Sequence, residues 1–135
     1  MDGFFLRHRR VRRATLKLIR SLDEEWADFR PTPGLPTVLG LLRHLAQAER
    51  SFVSAATGGD WTSPPEPDCL DRVHRQLERQ GEEAEHRLRG ASPDEEAGLL
   101  LELMLEHELH HAGQLTVYLR LGGMAPPREG YKLSR

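Results

Sequence analysis

The chain of 135 residues contains a single cysteine, Cys69. No internal disulfide can staple it, so its fold must rest on a buried core, for which this length suffices. One thiol also suits a reducing compartment, and Cys69 reads as a helix-start or core residue before it reads as a nucleophile. Long apolar runs are missing as well. Nothing approaches the ~20 apolar residues of a membrane span, and the apolar stretch behind the N-terminal arginines is broken by Lys17 and Arg20, too early for a secretion signal. The expectation is a cytoplasmic protein with no membrane partner. Neither sign of charge is in excess: 19 Lys and Arg against 21 Asp and Glu leave a formal net charge of -2. That argues against a protein built to neutralise phosphates, and so against nucleic acid as a partner. The exception is "RHRRVRR", residues 7–13, whose arginines would fan out around a helix and read as a solvated face. Strand-period alternation and hairpin signals are also absent.

Helical periodicity is what the chain does have. Val11, Ala14, Leu18, Leu22, Trp26 and Phe29 step by three or four residues and predict a first helix over about 5–29. The capping-box spacing of Ser21 and Glu24 marks a possible break and restart near "SLDEE". "RPTPGLP" ends this segment, because each proline biases the residue before it to an extended form. A second stripe, Val38, Leu41, Leu42, Leu45, Ala48 and Phe52, predicts a helix from Thr37 to about Ala56. "TGGDWTSPPEP", residues 57–67, has the composition of a loop. With Asp68 as its cap, a third helix carries Leu70, Val73, Leu77, Ala84 and Leu88, is interrupted by Gly81 and ends at Gly90. The fourth has Ser92 as N-cap, Pro93 at its first position, Glu95 to complete the box, and Gly122 and Gly123 at its end. Four helices and no strands predict an all-α four-helix bundle forming one domain over 1–135.

The inward stripe of the fourth helix reads Ala97, Leu100 or Leu101, Met104, His107, His111, Leu115 and Tyr118. Residues four apart lie about 40° apart around a helix and about 6 Å along it, which lets two imidazoles converge on one ion. In a core, such a pair must be hydrogen-bonded or metal-bound. The facing second helix offers His44, beside its apolar stripe. Three nitrogen ligands with a fourth position open is the arrangement of a catalytic zinc-type site, whereas His44 alone would read as a boundary residue. His110 competes with His111 but points about 100° away from it. His8, His74 and His86 are not assigned to the site. Gln114, Tyr118 and Trp61 could line a pocket, and Gly113 in mid-helix suggests close approach by a helix or ligand.

"LLRHLAQAER", with a histidine and a glutamate five residues later, "HELHHAGQLTVYLRLGGMAPP" and "DEEWADFRPTPG" together resemble the DinB/YfiT-like family of metalloenzymes over about 10–127. The resemblance implies an up-down-down-up four-helix bundle, often a homodimer, with residues 57–67 as the long crossover. It also implies a divalent metal, zinc or nickel foremost, on His44, His107 and His111. Ala112 departs from the family, which commonly has arginine there. Thiol-dependent transferases and a thiol-dependent isomerase in the wider group imply a low-molecular-weight thiol as co-substrate and a small-molecule substrate. A coordinated thiol loses its proton near neutral pH, whereas water in the same position would give a hydrolase.

"HELHH" is also a formal zinc-protease motif with Glu108 as base, but the extended form needs glycine and histidine where Gln114 and Val117 stand. Beyond the helix only Glu129 could supply a further carboxylate. Glu108 therefore reads as a solvated neighbour or as a group orienting a ligand. The remaining alternative is a non-catalytic, stress-response or oligomer-forming bundle whose metal is structural or absent.

Overall fold

The computed structural model describes residues 1–123. It contains α1 (Asp2–Arg20), a short 3-10 helix (Glu24–Asp28), α2 (Val38–Thr57), α3 (Leu70–Ala91) and α4 (Glu95–Leu121). Glu129 lies outside the described residues. No described helix is long and apolar enough to cross a membrane.

Bonds between helices give their directions. Arg9 of α1 pairs with Glu85 and Arg12 with the Leu77 carbonyl, so α1 and α3 are antiparallel. Arg7 pairs with Glu102 and Arg12 with Glu108, which makes α1 and α4 parallel. Arg43 donates to the Pro67 carbonyl and Arg50 to Gln80, so α2 and α3 are parallel. Finally, Tyr118 donates to the Pro36 carbonyl while Phe52 lies against His107, so α2 and α4 are antiparallel. The topology is up-down-down-up, with α1 and α2 each packed on both α3 and α4. A parallel α2–α3 pair requires the chain to retrace the length of α2, about 30 Å. Residues 58–69 can do so, at ~3.3 Å per extended residue.

The helix ends correct several expectations. The break and restart expected near "SLDEE" are present, the first helix stopping at Arg20 and a 3-10 turn following from Glu24, but Ser21 turns its hydroxyl back to the Leu18 carbonyl and caps nothing downstream. Asp68 pairs with Arg72 instead of capping α3. The N-cap is Cys69, and Glu24, distant in sequence, accepts from the Leu70 and Asp71 amides. Ser92 belongs to the end of α3, at φ 48°, and Asp94 is the N-cap of α4, accepting from the Ala97 amide. On α2 the cap is Thr37, whose hydroxyl accepts from the Gly40 amide. At the end of α4, Gly122 is there for space: a Cβ would lie 2.7 Å from the Trp26 ring.

Two apolar clusters form the core. One gathers Leu18, Ile19, Leu42, Leu45, Val73, Leu77, Leu115, Tyr118 and Leu119, and the other Phe4, Phe5, Val53, Leu88, Leu101, Met104 and Leu105. Between them, midway along the helices, runs a buried polar belt of His8, Arg12, Thr15, Glu49, Gln80 and Glu108. Arg12 thus overturns the reading of the arginine run as a solvated face. Arg7, Arg9, Arg10 and Arg13 are exposed, but Arg12 is only 4% exposed. Gly81, buried on α3, makes room for it: a Cβ there would stand 3.2 Å from Arg12 Nη1.

Gly113 has no such reason. It is exposed, within α4, and a Cβ would meet nothing within 4 Å, so no described helix of this chain approaches it closely. Gly113→Ala is expected to stabilise the metal-free protein by about 0.5–1 kcal/mol, read as a higher urea midpoint at unchanged slope. A lower midpoint would show that something does approach this face.

Candidate metal centre

His107 and His111 sit one turn apart on α4, and His44 faces them from α2. Their Nε2 atoms converge: His44 to His107 is 3.1 Å and His111 to His107 is 3.1 Å. One ligand nitrogen from each of the three lies within 4.8 Å of the other two. Tetrahedral ligands about 2.0–2.1 Å from an ion stand about 3.4 Å from one another, so the donor set fits a four-coordinate ion with one position left over. The fit depends on two different things. Helix geometry fixes the spacing of His107 and His111, while the packing of α2 on α4 fixes the approach of His44.

The histidines do not occupy the interior stripe. His107 and His111 are half-buried and His44 is exposed, while Leu105, Glu108, Leu115 and Leu119 of α4 face inward. The reason is the wide buried face of a helix packed on two neighbours, which puts the seam at Leu101, Met104, Leu105 and Glu108 and leaves the histidines at its edge. Burial, then the neighbouring His111 and His44, holds the His107 imidazole below its ordinary 6.5. Burial likewise lowers His111, with a hydrogen bond to Gln114 acting in the opposite sense and His44 acting with the burial. Both therefore favour the neutral form at neutral pH, the form that offers a lone pair.

Gln114 has a more specific part than lining a pocket. His111 Nδ1 donates to Gln114 Oε1 at 2.8 Å, which leaves the lone pair on Nε2, the atom facing the cluster. Its position three residues after His111 was visible in the sequence; this bond was not. His110 is exposed and meets His111 ring to ring, with centroids 5.1 Å apart, outside the cluster. Tyr118 is buried and donates to the Pro36 carbonyl, and Trp61 lies under the Arg87 guanidinium. His74 is buried and accepts from Arg20. The clefts of about 690 Å³ beneath the crossover and about 360 Å³ between α1 and α3 are not lined by the three histidines. The cluster lies at the edge of the α2–α4 contact, with His44 exposed to solvent.

Glu108 is neither a protease base nor a solvated neighbour. It points into the core, where Arg12 Nη2 and Nε donate to it at 2.7 and 3.0 Å and Thr15 Oγ1 at 2.8 Å. On α2, Glu49 accepts from Arg12 and Gln80, and His8 Nε2 lies 2.7 Å from it. Burial pushes the Glu49 carboxyl up, but Arg12 and the His8 and Gln80 hydrogen bonds more than offset this and hold it at about 2. In the sequence, Arg12, His8 and Gln80 carried no signal of this belt beyond their helical spacing.

An up-down-down-up bundle with three imidazoles converging from its second and fourth helices defines the class of protein. The profile of the DinB superfamily matches residues 7–115, and the chain belongs to that superfamily. A search of curated proteins gives no match.

Proposed function

We propose that the protein holds one divalent metal, zinc or nickel foremost, on His44, His107 and His111, and works as a transferase or isomerase through a metal-activated small thiol. The observation that carries this reading is the convergence of three imidazole Nε2 atoms at the partly exposed edge of the α2–α4 contact. A divalent ion there would favour the thiolate of a small thiol near neutral pH. The chain's own residues do the rest. His107 and His111 arrive neutral, Gln114 fixes the His111 tautomer, and Phe52 covers one side of His107 with its ring centroid 6.0 Å away. Such a thiolate would be available to an electrophilic carbon of a small substrate: in a transfer the displaced group would leave with its bonding pair, and in an isomerisation the thiolate would add to a conjugated double bond, the π pair moving onto the acceptor and returning to expel the thiolate after bond rotation. Three ligands suit this better than a structural site, which closes with four.

The test uses cobalt(II)-loaded protein. Adding a small thiol is expected to produce a sulfur-to-cobalt charge-transfer band and, with small electrophiles, loss of free thiol at a rate that His44→Ala abolishes. A cobalt protein indifferent to every thiol would leave the hydrolytic or non-catalytic readings.

We further propose a homodimer formed through the outer face of α4, where Leu99, Leu103, Val117 and Leu121 are between 52% and 66% exposed in one stripe. A second copy laid along this face would cover these four side chains. Light scattering on a sizing column is expected to give twice the chain mass, and Leu103→Glu half of that. A wild-type monomer would end the idea.

A further inference from the structure

We infer that Arg12 is the positioning residue of the three-histidine site, fixing from α1 the placement of α2 against α4 on which the convergence of His44 with His107 and His111 depends. The inference rests on reading those histidines as metal ligands.

No ligand comes from α1, yet α1 controls the level at which the ligands sit. His107 is the neighbour of Glu108 in the chain, and His44 lies little more than one helical turn before Glu49. On their outer side α2 and α4 therefore present imidazoles, and on their inner side, at the same height, two buried carboxylates. Glu49 is 3% and Glu108 7% exposed. Left to themselves, two carboxylates in a poorly polarisable interior repel and would drive α2 and α4 apart or tilt them.

Arg12 prevents this with one guanidinium. Its Nη2 donates to Glu49 Oε2 and to Glu108 Oε1, each at 2.7 Å, so the two carboxylates are tied through a single nitrogen. Nε holds the second Glu108 oxygen, and Nη1 reaches the Leu77 carbonyl of α3. Four helices thus meet at one planar group whose donors point in fixed directions. A lysine ammonium carries the charge but not that fork. Gln80 and His8 complete Glu49, and Thr15 completes Glu108, so no described buried side-chain polar atom lacks a partner. The guanidinium therefore has little freedom to shift, and the spacing it sets reaches His44 through less than two turns of α2. Metal sites respond to displacements of a few tenths of an ångström, whereas general stability does not distinguish where a perturbation lies.

Zinc titration of the metal-free protein, paired with the ligand-field spectrum of its cobalt(II) form, tests this. Arg12→Lys and Arg12→Met are expected to bind zinc on the order of 10- to 100-fold more weakly and to change the cobalt spectrum, as loss of a supporting contact does. Leu88→Ala, a cavity in the apolar cluster away from the histidines, serves as the comparison. At similar loss of thermal stability it should keep wild-type affinity and spectrum. If neither Arg12 variant folds, Gly81→Ala carries the test, because its new Cβ presses on Arg12 Nη1 without removing a charge. A smaller fall in affinity with an altered spectrum is then expected. Wild-type affinity and spectrum in a folded Arg12 variant, or in Gly81→Ala when it alone is available, would overturn the inference. Failure of the wild type to bind zinc or cobalt would instead sink the metal reading itself, and the inference with it.

Discussion

Glu49→Leu is expected to cost about 3–5 kcal/mol of folding stability at pH 7, the range found when one partner of a buried ionic network is removed. The side chain is 2% exposed, and it accepts from Arg12 and Gln80 with His8 at 2.7 Å. Leucine would leave those groups facing hydrocarbon. Arg12 keeps Glu108, so the loss falls mainly on His8, Gln80 and half of the guanidinium's bonding. The pH dependence has a definite sign. Glu49 titrates at about 2 in the folded protein against an ordinary 4.5, so the unfolded chain takes up its proton first as acid is added. The stabilisation is present above pH 4.5 and is lost as pH falls through that value toward 2. Urea denaturation across this range should show the wild type losing stability and the Glu49→Leu curve flatter. A cost below about 1 kcal/mol at pH 7, or parallel pH curves, would show that the belt matters little to stability.

His107→Ala is expected to abolish stoichiometric metal retention, while His110→Ala keeps it. Both 3.1 Å contacts of the cluster run through His107 Nε2, so its removal leaves His44 and His111 without the group between them. His110 has a similar helical spacing to its neighbours but points to solvent. The metal-free His107→Ala protein should melt within a few degrees of the wild type, because the ring is only half-buried. Elemental analysis after dialysis without chelator reads the result. Full retention by His107→Ala, or loss in His110→Ala, would move the site elsewhere on α4.

The histidine cluster was legible because its logic is local. A four-residue step on one helix and a histidine flanking the stripe of another identify His107, His111 and His44 with little knowledge of the rest. The same holds for the bounds of α2, expected from Thr37 to about Ala56 and found over Val38–Thr57. What escaped the sequence was decided at a distance. Arg12 looks like one arginine among five until Glu49 and Glu108, from helices far along the chain, meet it in the core. Glu24 suits a local capping box, yet it serves the start of α3, 46 residues on. Ser92 and Pro93 satisfy the rules for a helix start, but α3 ends in Ser92 with left-handed backbone, so the cap falls to Asp94. The histidines' place at the edge of the stripe follows from packing as well: α4 buries a face against both α1 and α2, and periodicity alone does not reveal how wide that face is.

X-ray absorption at the zinc edge of zinc-loaded wild-type protein tests the central claim most directly. The account predicts one zinc per chain with three imidazole nitrogens at about 2.0–2.1 Å and a fourth light-atom ligand, the multiple-scattering signature of the rings falling to two in His44→Ala. A spectrum without imidazole scattering, or one unchanged in His44→Ala, would contradict a metal held between α2 and α4.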